Sequence, residues 1–242
     1  AHGATVGAKV TGPGRMLIMM GTSSCHELMC TEEKMVPGIC GYVEDGIVPG
    51  YFGYEAGQSC VGDHFAWLTE NFLSASYEKA ANEQGIHIYE YLNKLAAKKK
   101  VGETGLLALD WWNGNRSVLV DGSLSGMMLG FTLNTRIEDM YRTLIEATAF
   151  GTRQNAALSS CIWGALAAGK EAGGYDSVDE AAERMGNLQD KTYFPNVENK
   201  KEYDRLYREY ELVHDYFGRG QNDVMKRLKK RMNQCIQETE EK

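Results

Sequence analysis

The chain has 242 residues, of which 43% are hydrophobic, and its formal net charge is -7. This length and apolar content suffice for one large domain, or for a domain with a helical appendage, around a sizeable core. The negative charge argues against non-specific electrostatic binding of nucleic acid, which requires a basic surface. No apolar stretch approaches the roughly 20 residues that cross a bilayer, and residues 1–9 do not resemble a signal peptide. We therefore expect a cytoplasmic protein that binds neither nucleic acid nor membrane.

The first half of the chain predicts strands followed by helices. Met16–Met20 is an apolar run that ends at the polar turn 21–24, as a buried strand would. Residues 36–54 are rich in glycine, proline and aromatic residues, which indicates short strands and loops. Apolar residues then recur at helical spacing over residues 55–73 and again from Ile88 to Leu95, and Lys98–Lys100 favours a helix end.

The second half predicts one more strand and several helices. Leu106–Leu109 is a short apolar run, and a polar turn that contains Trp111 and Trp112 follows it. Thr135 and Glu138 have capping-box spacing ahead of a helix, and Ser177 with Glu180 repeats that spacing. Residues 157–168 form a helix of small residues. Beyond Pro195, two amphipathic stripes separated by Gly218 and Gly220 predict a packed helical tail. The alternation of strands and helices indicates an α/β fold.

Cysteine and histidine spacing does not define a site. The six cysteines include no CxxC pair, which favours free thiols over a zinc ribbon or a disulfide framework. Cys25, His26 and Cys30 are close enough to suggest a metal site, but their neighbours supply no further ligands, and a structural role is favoured. The five histidines stand apart, and we assign catalysis to none of them.

Motifs of the common nucleotide-binding and hydrolase folds are missing. The chain contains neither GxxxxGK[ST] nor a strand followed by GxGxxG, and no GxSxG elbow. Gly21–Ser24 could present backbone N–H groups to a phosphate or form an ordinary turn. Glu55 could hold sugar hydroxyls or cap a helix. Trp111 and Trp112 could form an aromatic platform, although packing is favoured.

Three segments resemble sugar kinases of the FGGY family, and among these the kinases of L-ribulose. They are residues 21–26 (GTSSCH), 48–59 (VPGYFGYEAGQS) and 107–116 (LALDWWNGNR). The first occurs across the family in looser form, whereas the other two are specific to ribulose kinases. The likeness covers residues 1–153 and resumes more weakly afterwards.

The resemblance implies an actin-like, ribonuclease-H-like ATPase fold, of which this chain is most of the second domain. Residues 1–194 would form that domain and residues 195–242 the tail. By this likeness Gly21 and Thr22 lie near the ATP phosphates, Gly62 lines the nucleotide site, and Glu55 binds ribulose hydroxyls. The implied cofactors are ATP and Mg²⁺, and a homo-oligomer is left open.

The chain also departs from the family pattern. The catalytic aspartate would stand immediately before Ala1, and the amino-terminal kinase domain would be a missing partner. A strand–helix unit that cradles the adenosine is expected between Arg153 and Ala157 but is absent there. The expected reaction is phosphorylation of L-ribulose to L-ribulose 5-phosphate in arabinose catabolism by a longer parent chain, and this portion alone is expected to be inactive. Two alternatives stay open: a kinase of xylulose, glycerol or a related polyol, and a non-catalytic assembly or binding module.

Overall fold

The computed structural model describes residues 2–39, 41–166 and 192–240, with side chains described outside residues 156–166 and 240. It divides into two compact units. The first unit comprises Ala1–Ser59, Asn115–Val120 and Thr152–Phe194, and the second comprises Cys60–Gly114, Asp121–Gly151 and Pro195–Lys242. The tail beyond Pro195 therefore packs with residues of the second unit. No helix among the described residues has the length and apolarity needed to span a membrane.

The first unit contains helix α1 (His2–Gly7) and a four-stranded antiparallel sheet. Its strands are β1 (Met16–Met20), β2 (Ser24–Cys30), β3 (Gly41–Glu44) and β4 (Phe52–Gln58), in the spatial order β1-β2-β4-β3. The prediction of β1 is confirmed, as is that of short strands between residues 36 and 54. Strand β2 was not predicted.

Strand β2 lies at the centre of the sheet with both faces covered. Leu28 packs in a cluster with Cys30 and Tyr54, whereas the next residue, Met29, packs in another with Val10 and Tyr51. Successive side chains of a strand point to opposite faces, so β2 shows continuous burial instead of alternation. This explains why its sequence gave no strand pattern. Cys25 and His26 also point to opposite faces, which disfavours the metal site considered for them.

The second unit is mainly helical. Its elements are α2 (Gly62–Phe72), α3 (Ala75–Glu83), α4 (Ile88–Ala96), the strand pair β5 (Leu107–Leu109) and β6 (Met127–Leu129), α6 (Val197–Gly218) and α7 (Val224–Glu240). Helix α5 (Ile137–Leu166) contributes residues to both units. Leu68, Leu92 and Leu144 are fully buried in a core shared by α2, α4 and α5. The helices around Leu68 and Leu92 and the two tail helices are confirmed. Helix α3 was not predicted, because Ala81 is its one buried residue.

Three boundary predictions were wrong. Helix α2 begins at Gly62 instead of near residue 55, because residues 52–58 pair as a strand. At the start of α5, Asp139 accepts from the backbone N–H of Arg136 at 2.9 Å, while Glu138 accepts from Tyr77, so the predicted Thr135–Glu138 capping box does not form. The helix predicted from residue 157 continues α5 without a break up to Leu166. Its last two residues and the Ser177–Glu180 cap lie outside the described residues.

Candidate functional site

Glu55 lies in the middle of strand β4 and not at a helix terminus. Its partners in register are Glu27 on β2 and Gly41 on β3. The capping interpretation of Glu55 is therefore wrong. One carboxylate oxygen of Glu55, Oε1, accepts a hydrogen bond from the Arg116 guanidinium. The Glu55 side chain is 26% exposed. A carboxylate that is held on one side and partly open on the other can accept hydrogen bonds from a ligand.

A cavity of about 240 Å³ opens beside Glu55 within the first unit. Glu55, His2 and Tyr42 supply its polar side chains, and Val43 and Ile47 supply apolar surface. Tyr54 and three glycines complete the lining: Gly41, Gly46 and Gly53. The cavity lies below the roughly 300–1,000 Å³ typical of drug-sized sites, so it suits a small polar ligand such as a sugar.

Glu27 lies behind this cavity and is completely buried, with a side-chain exposure of 0%. Neither of its carboxylate oxygens accepts a hydrogen bond from the described residues. The imidazole of His2 lies close by, with its Nε2 3.9 Å from Glu27 Oε1 and 3.5 Å from Glu55 Oε2. Burial raises the pKa of Glu27, and a protonated His2 opposes that rise. A buried carboxylate without hydrogen bonds is costly, and so it calls for an explanation.

A buried polar network fixes the ends of β2 and β4. The Ser24 hydroxyl donates to Gln58 Oε1 at 3.0 Å and lies 3.1 Å from His26 Nε2. Thr152 donates to the same Gln58 oxygen at 2.9 Å. Burial lowers the pKa of His26 to about 4, although Gln58 raises it, so the ring is neutral at pH 7. The network thereby anchors the strand ends that adjoin the turn at residues 21–23.

The residues predicted to contact nucleotide fall in both units. Gly21 and Thr22 are exposed in the turn between β1 and β2, and a methyl group added at Gly21 would meet no atom within 4 Å. Gly62 is the first residue of α2 in the second unit, where Val61 provides no side-chain cap. The His64 backbone N–H in the first turn donates to the Cys60 sulfur, and the other N–H groups at a helix start can bind an anion. The roles of Gly21, Thr22 and Gly62 stay predictions.

The two tryptophans pack within the second unit. Trp111 is 1% exposed and lies edge-to-face with His214 at a ring-centroid distance of 5.3 Å. Trp112 contacts Trp67 at 5.3 Å. Packing is therefore confirmed for Trp111, which has no surface to offer a ligand.

Comparison with known proteins identifies the class. The profile of the C-terminal domain of the FGGY family of carbohydrate kinases matches residues 16–160. The chain belongs to this family, as its motifs predicted. Solved structures agree on the fold: a xylulose kinase from Rhodospirillum rubrum superimposes with a TM-score of 0.68 at 20% identity, covering 88% of this chain and 49% of that one. The gluconate kinase from Lactobacillus acidophilus gives 0.67 at 15% identity over 89% of this chain and 50% of that chain. The actin-like ATPase fold is confirmed.

The relatives with higher sequence identity are ribulokinases. A ribulokinase from Anoxybacillus flavithermus is 49% identical over 276 residues, covering 95% of this chain and 49% of that relative. The ribulokinase from Mycolicibacterium smegmatis is 41% identical over 95% of this chain and 48% of its own length. The chain thus spans about half the length of these relatives.

The first alignment is longer than the chain itself, which has 242 residues, so that relative contains residues without a counterpart here. The segment predicted to be missing near residues 153–157 is a candidate for part of this difference, and its position stays a prediction.

The sequence predicts a role for Glu55, and the structure adds its neighbours Arg116, Glu27 and His2. The pairing register of β2 with β4 brings Glu27 beside Glu55. No local pattern signals this contact, because it depends on strand pairing between distant residues.

Proposed function

We propose that this chain is the carboxy-terminal part of an ATP-dependent kinase that converts L-ribulose to L-ribulose 5-phosphate. The observation that carries the proposal is the 49% identity to a ribulokinase over 95% of the chain. The specific motif at residues 48–59 contains Glu55, which lines a cavity suited to a small polar ligand. The parent chain would act in the cytoplasm with Mg²⁺ and ATP.

Each site residue has a role in this proposal. Glu55 accepts hydrogen bonds from ribulose hydroxyls, and Arg116 fixes the orientation of its carboxylate. Gly21 and Thr22 offer backbone and hydroxyl groups to the ATP phosphates, and Gly62 offers the start of α2. Mg²⁺ would neutralise charge on the transferred phosphoryl group, so catalysis would rest mainly on positioning and electrostatics. The proton acceptor would be the aspartate that the family likeness places before Ala1.

The test measures ADP release by two proteins. One is the 242-residue chain alone, and the other is this chain joined to the amino-terminal half of the A. flavithermus relative. We expect ribulose-dependent turnover from the joined protein and none from the chain alone. A substrate panel of L-ribulose, xylulose and glycerol separates the proposal from the open alternatives. Equal turnover of xylulose or glycerol would contradict the assignment of the sugar, and an inactive but folded joined protein would favour a binding module.

A pair of variants tests Glu55 itself. Glu55→Gln keeps the shape of the side chain but removes its charge, so KM for ribulose should rise at least ~10-fold, because a charged hydrogen bond to the sugar is lost. Glu44→Gln is the matched control, since Glu44 is exposed on strand β3 of the same sheet. An unchanged KM in Glu55→Gln would remove Glu55 from the sugar site.

A further inference from the structure

Two carboxylates face each other across strands β2 and β4. Glu27 and Glu55 are direct partners in the antiparallel register, so their side chains project from the same face of the sheet. Like charges in directly opposed positions destabilise a sheet. Glu27 has no exposed side-chain surface and no hydrogen bond from the described residues, so solvent cannot relieve this repulsion. A cation bound between the two carboxylates would relieve this repulsion.

His2 brings a third potential ligand to the same point. One atom each from His2, Glu27 and Glu55 lies within 4.8 Å of the other two. The distances from His2 Nε2 to the carboxylates, 3.9 and 3.5 Å, approach the roughly 3.4 Å that separates tetrahedral ligands at zinc–nitrogen and zinc–oxygen bond lengths of about 2.0–2.1 Å. The ligand atoms of Glu27 and Glu55 lie within 4.8 Å of each other, so side-chain rotations are needed to bring all three groups to bonding distance.

Arg116 binds Glu55 but leaves the carboxylate oxygen that faces His2 open. Its guanidinium binds Oε1 of Glu55, whereas Oε2 of Glu55 faces His2. Metal-binding carboxylates are commonly held by a second hydrogen-bonding partner in this way. The His2 side chain is 52% exposed and that of Glu55 is 26% exposed, so an ion can enter from the cavity side.

We propose that His2, Glu27 and Glu55 form a binding site for a divalent transition-metal ion, with Zn²⁺ as the preferred ion. An imidazole with two carboxylates is a ligand set that suits zinc, and three protein ligands leave a fourth position open. Mg²⁺ prefers octahedral coordination by oxygen and retains several waters, so it should bind this site far more weakly. The site shares Glu55 with the proposed sugar site, so zinc and ribulose would compete for it.

Calorimetric titration of the 242-residue chain with ZnCl₂ tests the proposal. We expect one saturable site, which Glu27→Gln and His2→Gln each weaken at least ~10-fold. The control is His87→Gln, because His87 is an exposed histidine in the second unit and reports adventitious surface binding. Zinc affinity that is absent, or that is unchanged in both site variants, would overturn the proposal. So would a loss of zinc affinity in His87→Gln that equals the loss in His2→Gln.

Cobalt provides a second readout that does not depend on a substitution at a buried position. Co²⁺ in a tetrahedral nitrogen–oxygen site gives visible absorption that Zn²⁺ should abolish by displacement, and His2→Gln should lack it. His2 is half exposed, so this variant should fold even if Glu27→Gln does not. A cobalt spectrum without tetrahedral bands would count against the site. Neither measurement uses sugar or ATP, so their failure would leave the proposed kinase function untouched, and loss of kinase activity would leave the metal site untouched.

Discussion

The buried histidine His64 should make the second unit sensitive to acid. Its side chain is fully buried beside Phe65 and Trp112, with ring-centroid distances of 4.4 and 5.8 Å. Burial lowers its pKa from 6.5 to about 4. The unfolded chain therefore binds a proton between pH 6.5 and 4 that the folded chain refuses, so stability must fall as the pH falls through this window.

The size of the effect follows from the two pKa values. Between pH 7 and pH 5, a histidine with a pKa of 6.5 unfolded and about 4 folded loses about 2 kcal/mol of unfolding free energy. Urea unfolding at both pH values, followed by tryptophan fluorescence, measures this loss. Three of the four tryptophans, Trp67, Trp111 and Trp112, belong to the second unit, so the emission reports mainly on the unit that contains His64.

His64→Gln should remove that portion of the pH dependence, whatever it does to stability at pH 7. If His64→Gln loses as much stability between pH 7 and 5 as the parent chain does, the depressed pKa is refuted. Proton NMR offers an independent check, since the ring of His64 should show no titration above pH 5.

Two further predictions use matched pairs of variants. In Gly57→Ala the new methyl would collide with the Ser24 carbonyl, whereas in Gly41→Ala of the same sheet it would meet no atom within 4 Å. Thermal unfolding should show that Gly57→Ala loses about 1–3 kcal/mol of unfolding free energy and that Gly41→Ala changes it little. Equal losses in the two variants would contradict the close packing at Gly57. Arg142→Met removes the cationic partner of Glu146, which is 7% exposed and paired at 2.9 Å, and leaves it only the Tyr203 hydroxyl; the change should cost about 3–5 kcal/mol in urea unfolding. Lys200→Met breaks an exposed pair and should cost less than about 0.5 kcal/mol; a similar cost for both would contradict the buried pair's importance.

Periodicity predicted the elements that have one apolar face. Strand β1 and the helices around Leu68 and Leu92 carry such faces and were found from the sequence. Strand β2 is covered on both faces, and α3 buries little, so neither shows a period. The family likeness predicts a sugar-binding role for Glu55. The contacts of Glu55 with Glu27, Arg116 and His2 depend on register and chain crossing, which no local pattern encodes.

The pairing of Glu55 with Arg116 has a consequence for synthesis of the chain. The two residues are 61 positions apart, and the whole of Cys60–Gly114 belongs to the other unit. At about 5–20 residues per second, a ribosome needs roughly 3–12 s after Glu55 to add Arg116. During that interval Glu55 faces Glu27 without its guanidinium partner. The sheet should therefore form its full set of contacts late during translation. In a nascent chain stopped before residue 115, the sheet should be less stable than in the finished protein.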